Sequence, residues 1–435
     1  MEIWTLKAKA EHRVKLGHPW VFADEVESIP VRSRAGGPVE LRDHRGEFVA
    51  VGYGNPESPI VFRAMSFSSS EKNMVSPEGV LQRLLECWRQ RRRLGFTGSF
   101  RLAFGEADFL PGLVVDYYLV EQRGQRGQVF AVQVLTQGMA LLLSRADEIF
   151  AELVRLAQSE GLTELGWENS AVVLRNDTAA RKKEGLEEEF PRFIKSVRNF
   201  DYERVDILIN AAWDEGLVPM GCDLFQGQKT GFFLDQTWNI KIFTGLVRNH
   251  FRGQDRVRVL DLCSYVGHWS SQVARVFRQE GVATEAHQVD VSATALDFAR
   301  RNAERQGAIV YSHQMDVMEG LGKFSDREFD IVIADPPAFV KAKKDLAGGM
   351  SAYVKLNHQA FRLVRPRGFV VSCSCSGLFL EEMLVEALRK AIQRTKRRVK
   401  CVARGGHAPD HPTLVSFPEG IYLKMFVHQA VDGAT

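Results

Sequence analysis

The chain has 435 residues, of which 45% are hydrophobic and 26% are charged, and its formal net charge is +3. This length predicts two or three domains, and the composition excludes a disordered or fibrous protein and is typical of a soluble one. The net charge is too small to act as a bulk field. No run of about 18 apolar residues predicts a membrane span, so no membrane partner is expected. The six cysteines show neither CxxC pairs nor zinc-like spacing with histidine, which predicts reduced thiols, no metal site and a cytoplasmic location.

The N-terminal and middle parts of the chain differ in their predicted elements. Residues 1–67 alternate short apolar runs with turn residues, as in a small all-β barrel. A helix is predicted from about Pro77 to Leu94, and strands then combine with a single helix over 138–158 in an α+β unit. The charged, poorly periodic segment 182–193 indicates the next boundary. The predicted domains are therefore a β-barrel, an α+β middle domain and an α/β domain: 1–70, 71–190 and 191–435.

The C-terminal domain alternates strands with helices, which predicts a doubly wound, Rossmann-like parallel sheet. Residues 257–277 have the pattern of a strand, a tight loop and a helix, and the loop contains the single glycine Gly267. A dinucleotide site would have the G-x-G-x-x-G pattern, in which the backbone approaches a pyrophosphate. A cofactor without phosphates does not require that pattern.

Acidic residues follow the successive predicted strands. Asp290 lies 23 residues after Gly267, a suitable distance for a carboxylate that binds ribose hydroxyls, and Ser292 is the predicted N-cap of the next helix. Asp316 follows a third strand-like run, where it could contact an adenine amine. A site for ribose and adenine, without phosphates, predicts S-adenosylmethionine as the cofactor.

Asp335 and Cys375 each follow a short apolar run, in DIVIADPPAF (330–339) and GFVVSCSCSG (368–377). Ligands of open parallel sheets bind outside the carboxyl ends of the strands, so the carboxylate and the thiol can meet over one ligand. This pair suits methylation of a cytosine: a thiolate adds to C6 while a carboxyl group holds N3 and the exocyclic amine. Three lysines that follow Asp335 are predicted to contact substrate phosphates: Lys341, Lys343 and Lys344.

Several motifs together resemble the RlmI-type ribosomal RNA cytosine-C5 methyltransferases, over nearly the whole chain. They are GQKTGFFLDQ, VLDLCSYVGHWS, VDVSATALDFARRNAE, DPPAF, SCSCSG and HPTLVSFPEGIYLKMF. GHPWVFADEV is similar to the PUA-like RNA-binding domain of that family. The resemblance implies that the substrate is large-subunit ribosomal RNA, free or in a precursor particle. It leaves the oligomeric state open, a homodimer included.

The resemblance also implies a role for individual residues. Cys375 would be the nucleophile, and Asp335 would be its partner and would border the cofactor. Asp290 would hold the ribose and Asp316 the adenine edge. The loop around the methionine part and the ribose would consist of Asp261, Ser264, Tyr265 and Gly267. The wall over the cofactor would consist of Lys229, Thr230, Phe232, Leu234 and Gln236.

The sequence departs from the family at two places and leaves alternatives open. His268 stands where the family usually has a second glycine, and the segment 193–216 is longer than expected. Cys375 could be a buried, inert thiol in an amino-directed adenine or guanine RNA methyltransferase that uses DPPAF alone. The chain could also be a non-catalytic RNA-binding assembly factor. Family members often lack a cysteine at the position of Cys373, which favours Cys375 as the nucleophile.

Overall fold

The computed structural model describes residues 1–431, and these residues form two compact units, each assembled from separate segments of the chain. The first unit consists of residues 1–209, 222–234 and 409–420. The second unit consists of residues 210–221, 235–408 and the segment from 421 onward. The division into three domains stays a prediction.

The N-terminal part of the first unit is a six-stranded sheet with the strand order β2-β6-β5-β4-β1-β3. Strands β1 and β4 pair in parallel and the other neighbours are antiparallel. Trp4, Leu41 and Phe62 lie fully buried in its core. Its elements are β1 (Glu2–Leu6), α1 (Glu11–Lys15), β2 (Trp20–Phe22), β3 (Val26–Ser28), β4 (Gly37–Arg42), β5 (Phe48–Gly54) and β6 (Ile60–Ser66).

The rest of the first unit contains a second sheet with the order β11-β10-β9-β8-β12, and β7 also pairs with β8. The predicted helix at Pro77 is confirmed: Ser76 caps it by accepting a hydrogen bond from the Gly79 amide. Its elements are α2 (Pro77–Arg93), β7 (Phe100–Phe104), β8 (Leu113–Gln122), β9 (Gln125–Val134), α3 (Gln137–Leu142), α4 (Ala146–Ser159), β10 (Ser170–Leu174), β11 (Arg192–Lys195) and β12 (Val205–Asn210).

The prediction of a single helix over 138–158 is wrong, because the chain forms α3 and α4 there. Arg145 has non-helical backbone angles, φ −116° and ψ 51°, and separates the two helices. Met139 in α3 and Phe150 in α4 are both buried in the same core. Both helices thus contribute apolar side chains to that core from either side of the break.

The second unit contains a seven-stranded sheet with the order β16-β15-β14-β17-β18-β20-β19. The first five strands are parallel, and β20 runs antiparallel between β18 and β19, which confirms the predicted doubly wound sheet. The strand β13 (Leu217–Cys222) precedes the elements of this sheet in the chain. The elements that follow are α5 (Thr237–Val247), β14 (Arg256–Leu262), α6 (His268–Gln279), β15 (Ala283–Asp290), α7 (Ala293–Arg305), β16 (Ala308–Gln314), β17 (Phe329–Ala334), α8 (Leu346–Leu363), β18 (Val364–Ser374), α9 (Glu381–Thr395), β19 (Val399–Gly405) and β20 (Lys424–Ala430).

Helices cover both faces of this sheet, which explains why its central strands are apolar without interruption. In β17, Ile331 and Ile333 pack in the core that contains α5 and α6, whereas Val332 packs in the core that contains α8 and α9. The carboxyl ends of β14, β15, β17 and β18 therefore open at one edge. Within residues 1–431, the helices are too short or too polar to cross a membrane.

Candidate active site

The loop after β14 turns sharply before α6 begins at His268. Tyr265 and Gly267 have positive φ angles of 48° and 76°. A Cβ atom at Gly267 would lie 2.9 Å from the Ala299 Cα in α7, so this position requires glycine both for its backbone angle and for the close approach of α7. One glycine is therefore sufficient to bring the loop against the neighbouring helix.

Asp290, at the end of β15, connects this loop to the start of α7. One carboxylate oxygen accepts a hydrogen bond from the Tyr265 amide at 3.0 Å, and the other accepts one from the Ser292 amide at 2.9 Å. Ser292 is the N-cap of α7, as predicted, and accepts from the Ala295 amide. Asp290 is only partly buried, so its oxygens can also accept hydrogen bonds from a ligand.

Asp261 is 1% exposed, at the end of β14. Its Oδ2 accepts a hydrogen bond from the Ser270 amide at 3.2 Å, whereas Oδ1 and the Ser264 hydroxyl have no hydrogen-bond partner among residues 1–431. Burial raises the pKa of Asp261 to about 7. Buried polar atoms without partners are rare in native proteins and indicate a place for a ligand. The ammonium and hydroxyl groups of S-adenosylmethionine fit these two acceptors.

Asp335 follows β17 directly, and two side chains orient it. Its Oδ2 accepts hydrogen bonds from Gln236 Nε2 at 2.8 Å and from Trp269 Nε1 at 3.0 Å. Gln236 is held in turn by Asn239, whose Nδ2 donates to Gln236 Oε1 at 2.7 Å. The structure thus brings together two residues from the sequence prediction, Asp335 and Gln236. The sequence analysis missed Trp269 and Asn239; Trp269 lies in the quoted motif VLDLCSYVGHWS.

Cys375 follows the last residue of β18 and is half-buried. Its thiol contacts the carbonyl oxygen of Pro336 at 3.8 Å, so the exits of β17 and β18 meet at this point. Cys373 lies inside the strand and is 1% exposed. Burial raises the pKa of the Cys373 thiol well above its usual range. Of these two neighbouring cysteines, Cys375 is therefore the one at the edge of the sheet where a ligand would bind.

The other predicted residues of the second unit lie on exposed turns. Asp316 follows β16 and is exposed; its carboxylate accepts a hydrogen bond from the Met318 amide at 2.7 Å, so it also caps a turn. Asp345 similarly accepts from the amides of the turn that precedes α8. The three predicted phosphate-contacting side chains on this turn are exposed: Lys341, Lys343 and Lys344.

Four residues of the predicted cofactor wall belong to the first unit, whereas Gln236 belongs to the second. Thr230 is buried, and its hydroxyl donates to Asp116 Oδ2 at 2.5 Å. Lys229 is exposed and has a left-handed φ of 53°. Phe232 and Leu234 are 1% and 2% exposed. Their role as a wall over the cofactor stays a prediction.

Two domain families match parts of the chain. The family model of the PUA-like domain matches residues 5–67, which contain the first sheet. The family model of the methyltransferase domain matches residues 254–416, which contain β14 to β19. The N-terminal resemblance noted in the sequence is thereby confirmed.

Curated relatives match the chain over nearly its full length. Ribosomal RNA large subunit methyltransferase I of Photobacterium profundum is 31% identical, and the match covers 98% of each chain. The protein of the same name from Aeromonas salmonicida is 30% identical and covers 95% of each chain. That of Tolumonas auensis is 29% identical over 95% of this chain and 96% of its own.

Solved structures with the same fold are more distant in sequence. A protein of Streptococcus mutans, described as an S-adenosylmethionine-dependent methyltransferase, has a TM-score of 0.71 at 16% identity. SMU.776, described as a methyltransferase and solved with SAH, has a TM-score of 0.72 at 16% identity. Each match covers 99% of this chain and 100% of the other chain. These two proteins share the fold.

Proposed function

Because the chain belongs to the family of ribosomal RNA large subunit methyltransferase I, we propose that it methylates C5 of a cytosine in large-subunit ribosomal RNA through a covalent Cys375 adduct. It is an S-adenosylmethionine-dependent methyltransferase. The observation that carries the finer proposal is the meeting of two strand exits, where the Cys375 thiol contacts the carbonyl oxygen of the residue next to Asp335. An amino-directed enzyme has no use for a thiol there, because an exocyclic amine already has a lone pair.

The thiolate of Cys375 would start the reaction by adding to C6 of the cytosine, since the thiolate and not the thiol is the nucleophile. A bond forms between Sγ and C6, and the electron pair of the C5–C6 double bond becomes available at C5. C5 would then bond to the methyl group that S-adenosylmethionine supplies when bound, and the sulfur of the cofactor would keep the electron pair of the broken S–methyl bond. Loss of the C5 proton then restores the double bond and expels Cys375 as a thiolate.

Asp335 would hold the N3/N4 edge of the base while charge develops on the ring. It must carry a proton, or share one with N3, because N3 becomes more basic as the thiolate adds to C6. Its Oδ2 is already fixed by Gln236 and Trp269, both neutral donors. The carboxyl group is therefore oriented before the base enters, which lowers the entropic cost of reaching the reactive geometry.

The cofactor would bind at the exits of β14 and β15. The buried acceptors of Asp261 and Ser264 suit its methionine part, and Asp290 suits its ribose. Tyr265 and Gly267 set the course of the loop. Asp316 follows the next strand at the same edge, where its carboxylate would reach the adenine amine. The wall over the cofactor would come from the segment that contains Gln236, with Lys229, Thr230, Phe232 and Leu234.

Ribosomal RNA would contact several parts of the chain. The PUA-like domain would contribute affinity, and the exposed side chains of Lys341, Lys343 and Lys344 would contact phosphates beside the pocket. The target base must leave its stack to reach Cys375, which favours a loop or an opened helix as the target. Phe339 is the aromatic residue of the DPPAF motif. It packs edge-on against Tyr353, with ring centroids 4.9 Å apart, so this side chain contributes to the packing of the core.

The two neighbouring cysteines provide a matched test. Cys375→Ala should abolish methylation of large-subunit ribosomal RNA, measured by mass mapping, while binding of cofactor and RNA persists. Cys373→Ala removes a buried thiol two residues away and should cost some stability but leave substantial turnover. Methylation by Cys375→Ala at the wild-type rate would contradict the proposal and favour the amino-directed alternative.

A further inference from the structure

Lys424 is a buried cation beside the candidate nucleophile, and the sequence analysis did not single it out. It lies on β20 opposite Ser374 and is 5% exposed. Its Nζ donates hydrogen bonds to the carbonyl oxygens of Ser376 and Phe379, both at 2.7 Å. These two carbonyls belong to the turn that immediately follows Cys375.

Both acceptors of Lys424 are neutral, so its hydrogen bonds do not compensate the cost of burying a charge. Removing an ammonium group from water is expensive unless an anion is near. Lys424 is the first residue of β20, and the residues on either side of it in the chain, Leu423 and Met425, are 2% and 0% exposed, so the lysine lies between two buried apolar residues. A residue with this cost in the fold indicates a role that an apolar residue could not fill.

Electrostatics link this ammonium group to Cys375. Burial lowers the pKa of Lys424 to about 8. Negative charge on Cys375 raises this pKa, and so does Glu381 at the start of α9. Linkage is reciprocal: if the Cys375 thiolate favours the charged lysine, the charged lysine favours the thiolate to the same extent.

Other titratable groups also face this region. Tyr353 of α8 interacts electrostatically with Cys375, and burial raises the pKa of its phenol, so it is neutral at physiological pH. Its hydroxyl hydrogen-bonds Ser374 at 2.8 Å and Ser376 at 3.1 Å. The carboxyl groups of Asp335 and Asp235 act on the buried Cys373 and disfavour negative charge there. Among these groups, Lys424 is the one whose charge favours a thiolate.

We propose that Lys424 is a positioning residue for Cys375: its ammonium group fixes the turn from Ser376 to Phe379 and provides the positive charge that stabilises the thiolate. The proposal rests on the proposed function for the role of Cys375 as the nucleophile. Its two components can be separated, because glutamine can keep hydrogen bonds to the turn without the charge.

Alkylation of Cys375 as a function of pH tests the proposal without RNA and without turnover. Iodoacetamide reacts with the thiolate, so the midpoint of the rate profile, followed at Cys375 by mass spectrometry, reports the thiol pKa. Lys424→Met and Lys424→Gln should move the midpoint up by about one pH unit, which reduces the rate at pH 7 roughly tenfold. Lys424→Arg should keep the midpoint near that of the wild type. Lys400→Met, on the exposed part of the neighbouring strand β19, is the matched control and should change nothing.

An unchanged midpoint in folded Lys424→Gln would overturn the proposal, because the lysine would then be a structural residue alone. The proposal also requires Lys424→Gln to fold, since its amide can donate to both carbonyls; loss of cofactor binding and of the near-ultraviolet dichroism in this variant would contradict it. Failure of the proposed function has a different signature. In that case the midpoint shifts as described, but Cys375→Ala still methylates RNA.

Discussion

The exits of β14 and β15 differ from those of β17 and β18 in what holds their functional side chains. At the first pair, Asp290 binds backbone amides of the adjacent loop and helix. At the second pair, Asp335 is held by the side chains of Gln236 and Trp269, which come from other segments. The functional side chain on the cofactor side is therefore held by backbone groups, and the one on the reaction side by other side chains.

The largest effect is expected on the reaction side. Asp335→Asn keeps the size of the side chain but removes the ability to carry or share a proton with N3. The methylation rate should fall by about 100-fold to 10,000-fold, the usual contribution of a positioned general acid. Single-turnover kinetics with saturating cofactor measure this change. Asp326→Asn, at an exposed carboxylate of the same unit that pairs with Arg362, is the control and should retain the wild-type rate.

The cofactor side should respond in affinity rather than in the chemical step. Asp290→Ala removes the proposed acceptor for the ribose hydroxyls and the anchor of the Tyr265 amide. Binding of S-adenosylmethionine should weaken by about 1.5–3 kcal/mol, as for charge-assisted hydrogen bonds. Calorimetry on the folded variant gives the value. An unchanged affinity would place the ribose elsewhere and remove the contrast between the two pairs of strand exits.

The raised pKa of Asp261 predicts that cofactor affinity and the free energy of unfolding change in opposite directions with pH. Its folded pKa is raised from 3.8 to about 7, so the carboxyl group is protonated below that pH and cannot pair with the cofactor ammonium. Affinity should therefore fall as the pH drops below about 7, by up to roughly tenfold per unit. Without cofactor, this group binds more protons in the folded state between pH 4 and 7, so its contribution to stability decreases as the pH rises through that window. Titration calorimetry and urea unfolding of the wild type and Asp261→Asn measure the two trends, and both should be absent from the variant.

The same contrast explains what the sequence could predict. The strand that ends at Asp290, the N-cap Ser292 and the glycine at 267 follow local rules of capping and backbone conformation, and the structure contains each of them. Trp269 acts through its contact with Asp335, which lies 66 positions away in the chain. Lys424 acts through its contact with Phe379, which lies 45 positions away. No local sequence pattern encodes contacts at such distances. The predicted helix over 138–158 is wrong for a related reason. Its apolar periodicity continues across Arg145, whereas the chain forms two helices there that are separated by the non-helical backbone of Arg145.

Covalent trapping tests the central claim, attack by Cys375 on C6, most directly. RNA with 5-fluorocytosine at the target position lacks the C5 proton whose loss would release the enzyme, so the adduct should accumulate. The wild type and Cys373→Ala should both form a stable protein–RNA complex under denaturing conditions, and Cys375→Ala should form none. Trapping by Cys375→Ala, or no trapping by the wild type at a confirmed target site, would contradict the account.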